Sequence, residues 1–425
     1  MTSTSVYRPG REDLRTLRNL VSDFVDETPA VDIHTHLFAP EFGELGLWGI
    51  DNLLTYHYLI AELFRSCDTS PDEFFELGRQ AQADLIWETL FVRNTPLSEA
   101  TRGVVAVLSA LGLDPTKPDL KEAREFFADQ KADDHLSAVL RIANVERVVM
   151  TNDPLDELEM STWETRSSID PRFYAALRMD AILIEWERSS AKLKSKGFAV
   201  SKDFSGKTIS ELWRFLEAAV ALMRPLYLAV SLPDTFVYPG PDHTARLISD
   251  LVLPFAKEHS LPFALMIGVQ RRVNPRIRMA GDGVGRADIS GVNRLCADHP
   301  DNRFLVTMLS RENQHELCVS ARKFSNLMPF GCWWFLNNPS IVDEITRERI
   351  EMLGPSFIPQ HSDARVLEQL IYKWKHSREI ITSALAESYE RLFDDGFPVT
   401  SDMIERDVAR LMSGNFDRFV PPVQR

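Results

Sequence analysis

Eight short apolar or β-branched runs recur along the chain, at residues 30–34, 146–151, 173–179, 226–231, 263–269, 303–308, 326–332 and 356–360. Most are continuously apolar rather than alternating, as expected of strands buried on both faces of a parallel sheet. Stretches of helical period separate them. This alternation predicts an α/β fold, and eight such runs predict a (β/α)8 TIM barrel. The spacing is uneven. Roughly a hundred residues separate the first two runs, and within them 48–65, 71–91, 97–111, 120–127 and 136–142 read as amphipathic helices. The pattern therefore predicts a helical insertion after strand one, at about 40–140, serving either as a lid over the site or as a stabilising appendage. After residue 365 the chain reads as helical over 366–386 and 401–411, within C-terminal helices spanning about 366–415. Residues 1–425 are expected to form one barrel domain.

Composition narrows the class. The 425 residues are 44% hydrophobic and 26% charged, ordinary globular values with ample material for a core. A net charge of −14 argues against nucleic acid as a partner. The first eighteen residues lack an apolar signal core, and no run is long enough to span a bilayer. The four cysteines, Cys67, Cys296, Cys318 and Cys332, are widely spaced and read as reduced thiols of a cytoplasmic protein. The expected partner is a small molecule; further copies of the chain are left open.

The candidate chemistry sits at two strand ends. His34-Thr35-His36 follows the first run, and Asp363 follows the last, in Ser362-Asp363-Ala364-Arg365. Two imidazoles at i and i+2 with one distant carboxylate can close around a single divalent metal, zinc by default. In a barrel, first and last strands are neighbours, so the three would meet at the C-terminal rim. Alone, His-x-His is weak, and two surface histidines in a loop are its plain alternative.

Together, His34-Thr35-His36, Gly331-Cys332-Trp333-Trp334-Phe335 and Ser362-Asp363-Ala364-Arg365 resemble the uronate isomerases (the glucuronate isomerase family), an outlying branch of the amidohydrolase superfamily. Leu54-Thr55-Tyr56-His57-Tyr58 and residues 307–313 fit the same branch, and the resemblance runs from His34 to Asn415-Phe416. It implies a (β/α)8 barrel, one divalent metal, and interconversion of aldo- and keto-hexuronates. Many members carry a histidine on strand five in His-Ile-Gly, where this chain has Met266 before Ile267-Gly268. Binuclear amidohydrolases add ligands on strands four, five and six. Here those strands offer Ser231, Met266 and Thr307-Met308-Leu309, which leaves one metal and tilts the reading away from hydrolysis.

An aldose–ketose isomerisation needs a base to move a proton between C2 and C1 of a cis-enediol. Asp363 is the candidate, with a purely structural ligand role as its rival. The resemblance suggests Tyr58 and His57 as the pair moving the hydroxyl proton, against an ordinary packing role in an amphipathic helix. Arg365, two residues past Asp363, and Arg178, which closes an apolar strand, are candidates for the enediolate or the sugar carboxylate. Arg311, like Arg271 and Arg272, is a weaker one. Of the two tryptophans, the resemblance suggests Trp334 against the sugar face. His361 and His315 read as supporting or structural residues. The rival functions are a mononuclear metal-dependent hydrolase or decarboxylase of a small carboxylic acid, and a non-catalytic sugar-acid binder.

Overall fold

The computed structural model describes residues 11–166 and 168–420. At its centre lies a curled sheet of β1 (Ala30–Thr35), β2 (Val145–Asn152), β3 (Phe173–Arg178), β4 (Leu228–Pro233), β5 (Phe263–Gln270), β6 (Gly283–Val284), β7 (Phe304–Met308) and β8 (Leu327–Pro329). Seven of these run parallel in the order β1-β2-β3-β4-β5-β7-β8, with helices in the crossovers, so the fold is α/β. The two-residue β6, which no apolar run announces, pairs antiparallel with β5.

The continuous apolar runs arise because both faces of the strands are covered. Val31 and Ile33 of β1, Ala264 and Met266 of β5, and Met328 of β8 point to one side. There they share a buried cluster with Phe416 and Phe419 from the C-terminal end. Residues one position out of phase, such as Phe263, Leu265 and Ile267, face the surrounding helices. A period of two with both halves apolar is what a helix-wrapped parallel sheet requires.

The run at 356–360 departs from the expectation of a regular strand. It makes an isolated parallel bridge, Ile358 opposite Phe330. The Gly331 N–H donates to Ile358 O (2.9 Å) and the Ile358 N–H to Pro329 O (3.1 Å). Pro359 has no N–H to continue a ladder. The chain then turns against β1, where the Asp363 N–H donates to His34 O (3.2 Å) and the His36 N–H to Ala364 O (2.8 Å). The run at 326–332 is likewise shortened to β8, because Gly331 enters the left-handed region at φ 62°.

Between β1 and β2 the chain is helical, but in shorter pieces than the periodicity suggests. Instead of one helix over 48–65 there are Ile50–Leu54 and His57–Leu63. The Thr55 hydroxyl bonds back to Asp51 O, and Tyr56 is extended (φ −72°, ψ 145°). The stretch 71–91 breaks at Leu77 and Gly78, both extended. At the other end, the helix expected over 366–386 runs as Gln369–Asp394. No helix of the described residues is long and apolar enough to cross a membrane.

Candidate active site

His34 and His36 lie two residues apart where β1 ends, so their side chains share one face. The hydrogen bonds of Asp363 and Ala364 to this strand bring Asp363 beside them. Asp363 Oδ1 stands 3.3 Å from His36 Nε2 and 3.9 Å from His34 Nε2. One donor atom from each residue falls within 4.8 Å of the others.

Two neighbouring hydroxyls fix which ring nitrogens are free. The single hydroxyl hydrogen of Tyr227 goes to Ile33 O (2.5 Å), so at 3.2 Å its oxygen can only accept from His34 Nδ1. The Thr151 hydroxyl donates to Thr35 O (3.0 Å) and therefore accepts from His36 Nδ1 (2.8 Å). Both imidazoles then carry the proton on Nδ1 and turn an Nε2 lone pair toward Asp363. Asp363 Oδ1 accepts no hydrogen bond although it is buried. Three converging lone pairs with nothing to donate to them repel one another, and a cation between them removes the conflict. The donor set fits a divalent metal.

Electrostatics point the same way. Burial, reinforced by His361 and His36, pushes His34 well below the ordinary imidazole range, so it stays neutral and free to act as a ligand. Burial works to raise the Asp363 carboxyl, and positive charge at His36, His34 and His361 would hold it below the usual carboxylate range; with these imidazoles neutral, a cation among them has to supply that charge. Asp363 itself adopts φ 52°, an uncommon left-handed backbone that its surroundings must enforce.

His57 and Tyr58 open the helix His57–Leu63 and feel the charge of Asp363. Burial lowers His57 to about 4 and raises the Tyr58 phenol well above its ordinary value. His57 Nε2 and the Tyr58 hydroxyl are buried without hydrogen-bond partners. The His57 ring packs edge-on to Trp334 at 5.5 Å. Trp334, at φ 45°, leaves its buried Nε1 unpartnered and stacks on Phe335. The sequence candidates His34, His36, Asp363, His57, Tyr58 and Trp334 thus come together.

The arginines divide. Arg365 is held by two main-chain carbonyls, Leu45 O (2.9 Å) and His36 O (3.3 Å), with its guanidinium 5.4 Å above the Phe38 ring. Arg178 ends β3 and pairs with Asp180 (3.2 Å), and that pairing raises it above the ordinary arginine value. Arg311 is elsewhere: its exposed guanidinium makes a forked pair with Glu344 in a surface cluster with His315 and Glu348. Arg271 lies nearer, 5.9 Å above the Trp334 ring.

Sequence reasoning passed over Tyr227, Thr151, Asp32 and Lys373. The signal for Asp32 and Lys373 was available, since each is a charge inside an apolar run or an amphipathic helix. The two hydroxyls carried no such mark.

No family model matches the chain, and a search of curated proteins returns no match. Solved structures do match. A uronate isomerase from Bacillus halodurans C-125 is 52% identical over 96% of both chains, with a TM-score of 0.93. The chain belongs to the uronate isomerase family. A uronate isomerase from Thermotoga maritima and a glucuronate isomerase from Caulobacter crescentus share the fold at 15% identity, each with a TM-score of 0.77. They cover 97% and 98% of this chain, and it covers 99% and 98% of theirs. Within this family frame, Met266 is a packing residue, 1% exposed on the inner face of β5. Close packing requires glycine at position 331, since a Cβ on Gly331 would lie 1.8 Å from His361 Nδ1.

Proposed function

We propose that this chain is a uronate isomerase, interconverting D-glucuronate with D-fructuronate and D-galacturonate with D-tagaturonate through a cis-enediol. The observation that carries the reading is the 52% identity across 96% of the chain to a uronate isomerase. The site geometry supports it, because it supplies what proton transfer needs.

Zinc, held by His34 Nε2, His36 Nε2 and Asp363, would when bound draw the substrate oxygens and stabilise negative charge on an enediolate. Asp363 is the base that takes the C2 proton and returns it at C1. The Tyr58 phenol donates to one oxygen and the neutral His57 Nε2 accepts from the other, since both atoms are buried and unpartnered, and the proton then passes from His57 back to Tyr58, whose ring lies 4.4 Å away, to reset the pair. Arg178 and Arg365 bind the sugar carboxylate and enediolate through N–H groups their present partners leave free. Trp334 covers the sugar face beside His57.

The same proposal takes the whole chain as one (β/α)8 domain in a cytoplasmic setting. Residues 356–364 close the sheet between β8 and β1, supported by their hydrogen bonds to both strands. The helices between β1 and β2 act as an insertion over the site, supported by the position of His57 and Tyr58. The four cysteines are free, as a reducing compartment requires. The test is turnover of purified, zinc-loaded protein on both aldo-uronates. Keto-uronate formation is expected, and its absence with both sugars would overturn the reading.

A further inference from the structure

One charged pair near the site is not used by the chemistry above. Asp32, on β1 two residues before His34, and Lys373, on the helix Gln369–Asp394, are both fully buried. Burying such charges is costly, and well-packed apolar residues often serve stability as well or better. Among the described residues the two form no ion pair with each other. Instead they hold the two peptide groups on either side of one residue, Ser362. The Ser362 N–H donates to Asp32 Oδ1 at 3.0 Å, and Lys373 Nζ donates to Ser362 O at 2.6 Å. The second oxygen of Asp32 is fixed by Trp374 Nε1 at 2.9 Å, one residue along the helix from Lys373.

An anion on the N–H and a cation on the C=O hold one residue from both polar ends. Both bonds are charge-assisted and therefore among the stronger hydrogen bonds available. The next residue is Asp363, whose φ of 52° is uncommon and persists only if its surroundings impose it. Ser362 adds a third restraint, as its hydroxyl accepts from the Ala364 N–H at 3.1 Å. Lys373 also lies 5.5 Å from the centre of the Tyr58 ring. The same ammonium thus touches the residue before the candidate base and the face of the candidate proton donor.

We infer that Asp32 and Lys373 are positioning residues. Together they clamp the main chain on both sides of Ser362, and the clamp aims the Asp363 carboxylate at the two histidines. Its kinetic consequence rests on the proposed isomerase function, whereas its consequence for metal binding does not.

The test compares the full-length parent with Lys373→Met, Asp32→Asn and the double variant, each checked for a cooperative thermal transition. Zinc affinity is read by chelator competition on metal-free protein. Turnover of D-glucuronate is then read at saturating zinc. Removing a residue that orients a metal ligand typically costs about 10–100-fold, so Lys373→Met should weaken zinc by about tenfold or more. It should lower kcat by about as much, leaving KM within about twofold, because the arginines that hold the carboxylate are separate. The double variant should lose no more than the worse single variant, since both charges act through one residue, Ser362. If Lys373→Met does not fold, Asp32→Asn carries the test, as it keeps an acceptor oxygen of the same shape; the same shift, smaller, is expected. Zinc affinity and kcat within about twofold of the parent, or losses that multiply in the double variant, would overturn the clamp. If the parent turns over no uronate, the isomerase reading fails while the zinc comparison still decides the clamp.

Discussion

Tyr227 and Thr151 each give their one hydroxyl hydrogen to a main-chain carbonyl of β1, and the ring nitrogens of His34 and His36 follow from that. Thr151→Val removes the acceptor for His36 Nδ1–H and should weaken zinc by about tenfold, measured by chelator competition. Unchanged affinity would mean that the tautomer is set otherwise. Asp363→Asn should lower turnover by about a hundredfold or more if the carboxylate moves the proton; near-normal turnover in that variant removes the role. His34, His36 and Asp363 were legible from spacing at two strand ends. Neither Tyr227 nor Thr151 was, because a single hydroxyl inside an apolar strand is common and its partner depends on distant register. The Arg365 contacts were hidden for a similar reason: the loop through Leu45 that accepts from it returns only in three dimensions.

At the scale of elements, the break at Tyr56 matters more than the helices around it. A continuous helix over 48–65 would carry His57 and Tyr58 on one uninterrupted surface. The extended Tyr56 instead starts a new helix with these two residues in its first turn. That helix is tied to its neighbour Glu99–Ala110 through Ser98. The Ser98 hydroxyl accepts from the Thr101 N–H and reaches Glu62 Oε2 at 2.6 Å. Ser98→Ala should cost about 1 kcal/mol through loss of the cap, read from the denaturant midpoint; an unchanged midpoint would contradict the capping role. Hydrophobic periodicity revealed the helices but not these interruptions, because Thr55 and Tyr56 do not disturb the apolar spacing. The last strand was over-read for the converse reason. An apolar run that contains Pro359 has the composition of a strand without the donors to pair as one.

For the whole molecule, the alternation of apolar runs and helices revealed the α/β architecture because both faces of the sheet are buried. The connections that matter near the site were less visible, since they pass through Gly331, Asp363 and other residues with positive φ. Burial also sets a pH response for the metal-free protein. His57 and His376 are lowered by burial to about 4 and about 3, from an ordinary value of 6.5. Between those values the unfolded chain binds more protons than the folded one, so stability rises with pH there. The excess thermal stability of the parent over a His57→Gln, His376→Gln variant should hold above pH 6.5 and shrink as the pH drops toward 4. A difference that stays constant across that interval would contradict neutral, buried imidazoles.

The central claim is proton transfer between C2 and C1 of a uronate. It is tested most directly by proton NMR of the zinc-loaded protein with D-glucuronate and with D-galacturonate in deuterated water. The account predicts a keto-uronate signal, with deuterium appearing at the exchanged carbon. Neither a keto-uronate nor deuterium in either sugar would contradict it.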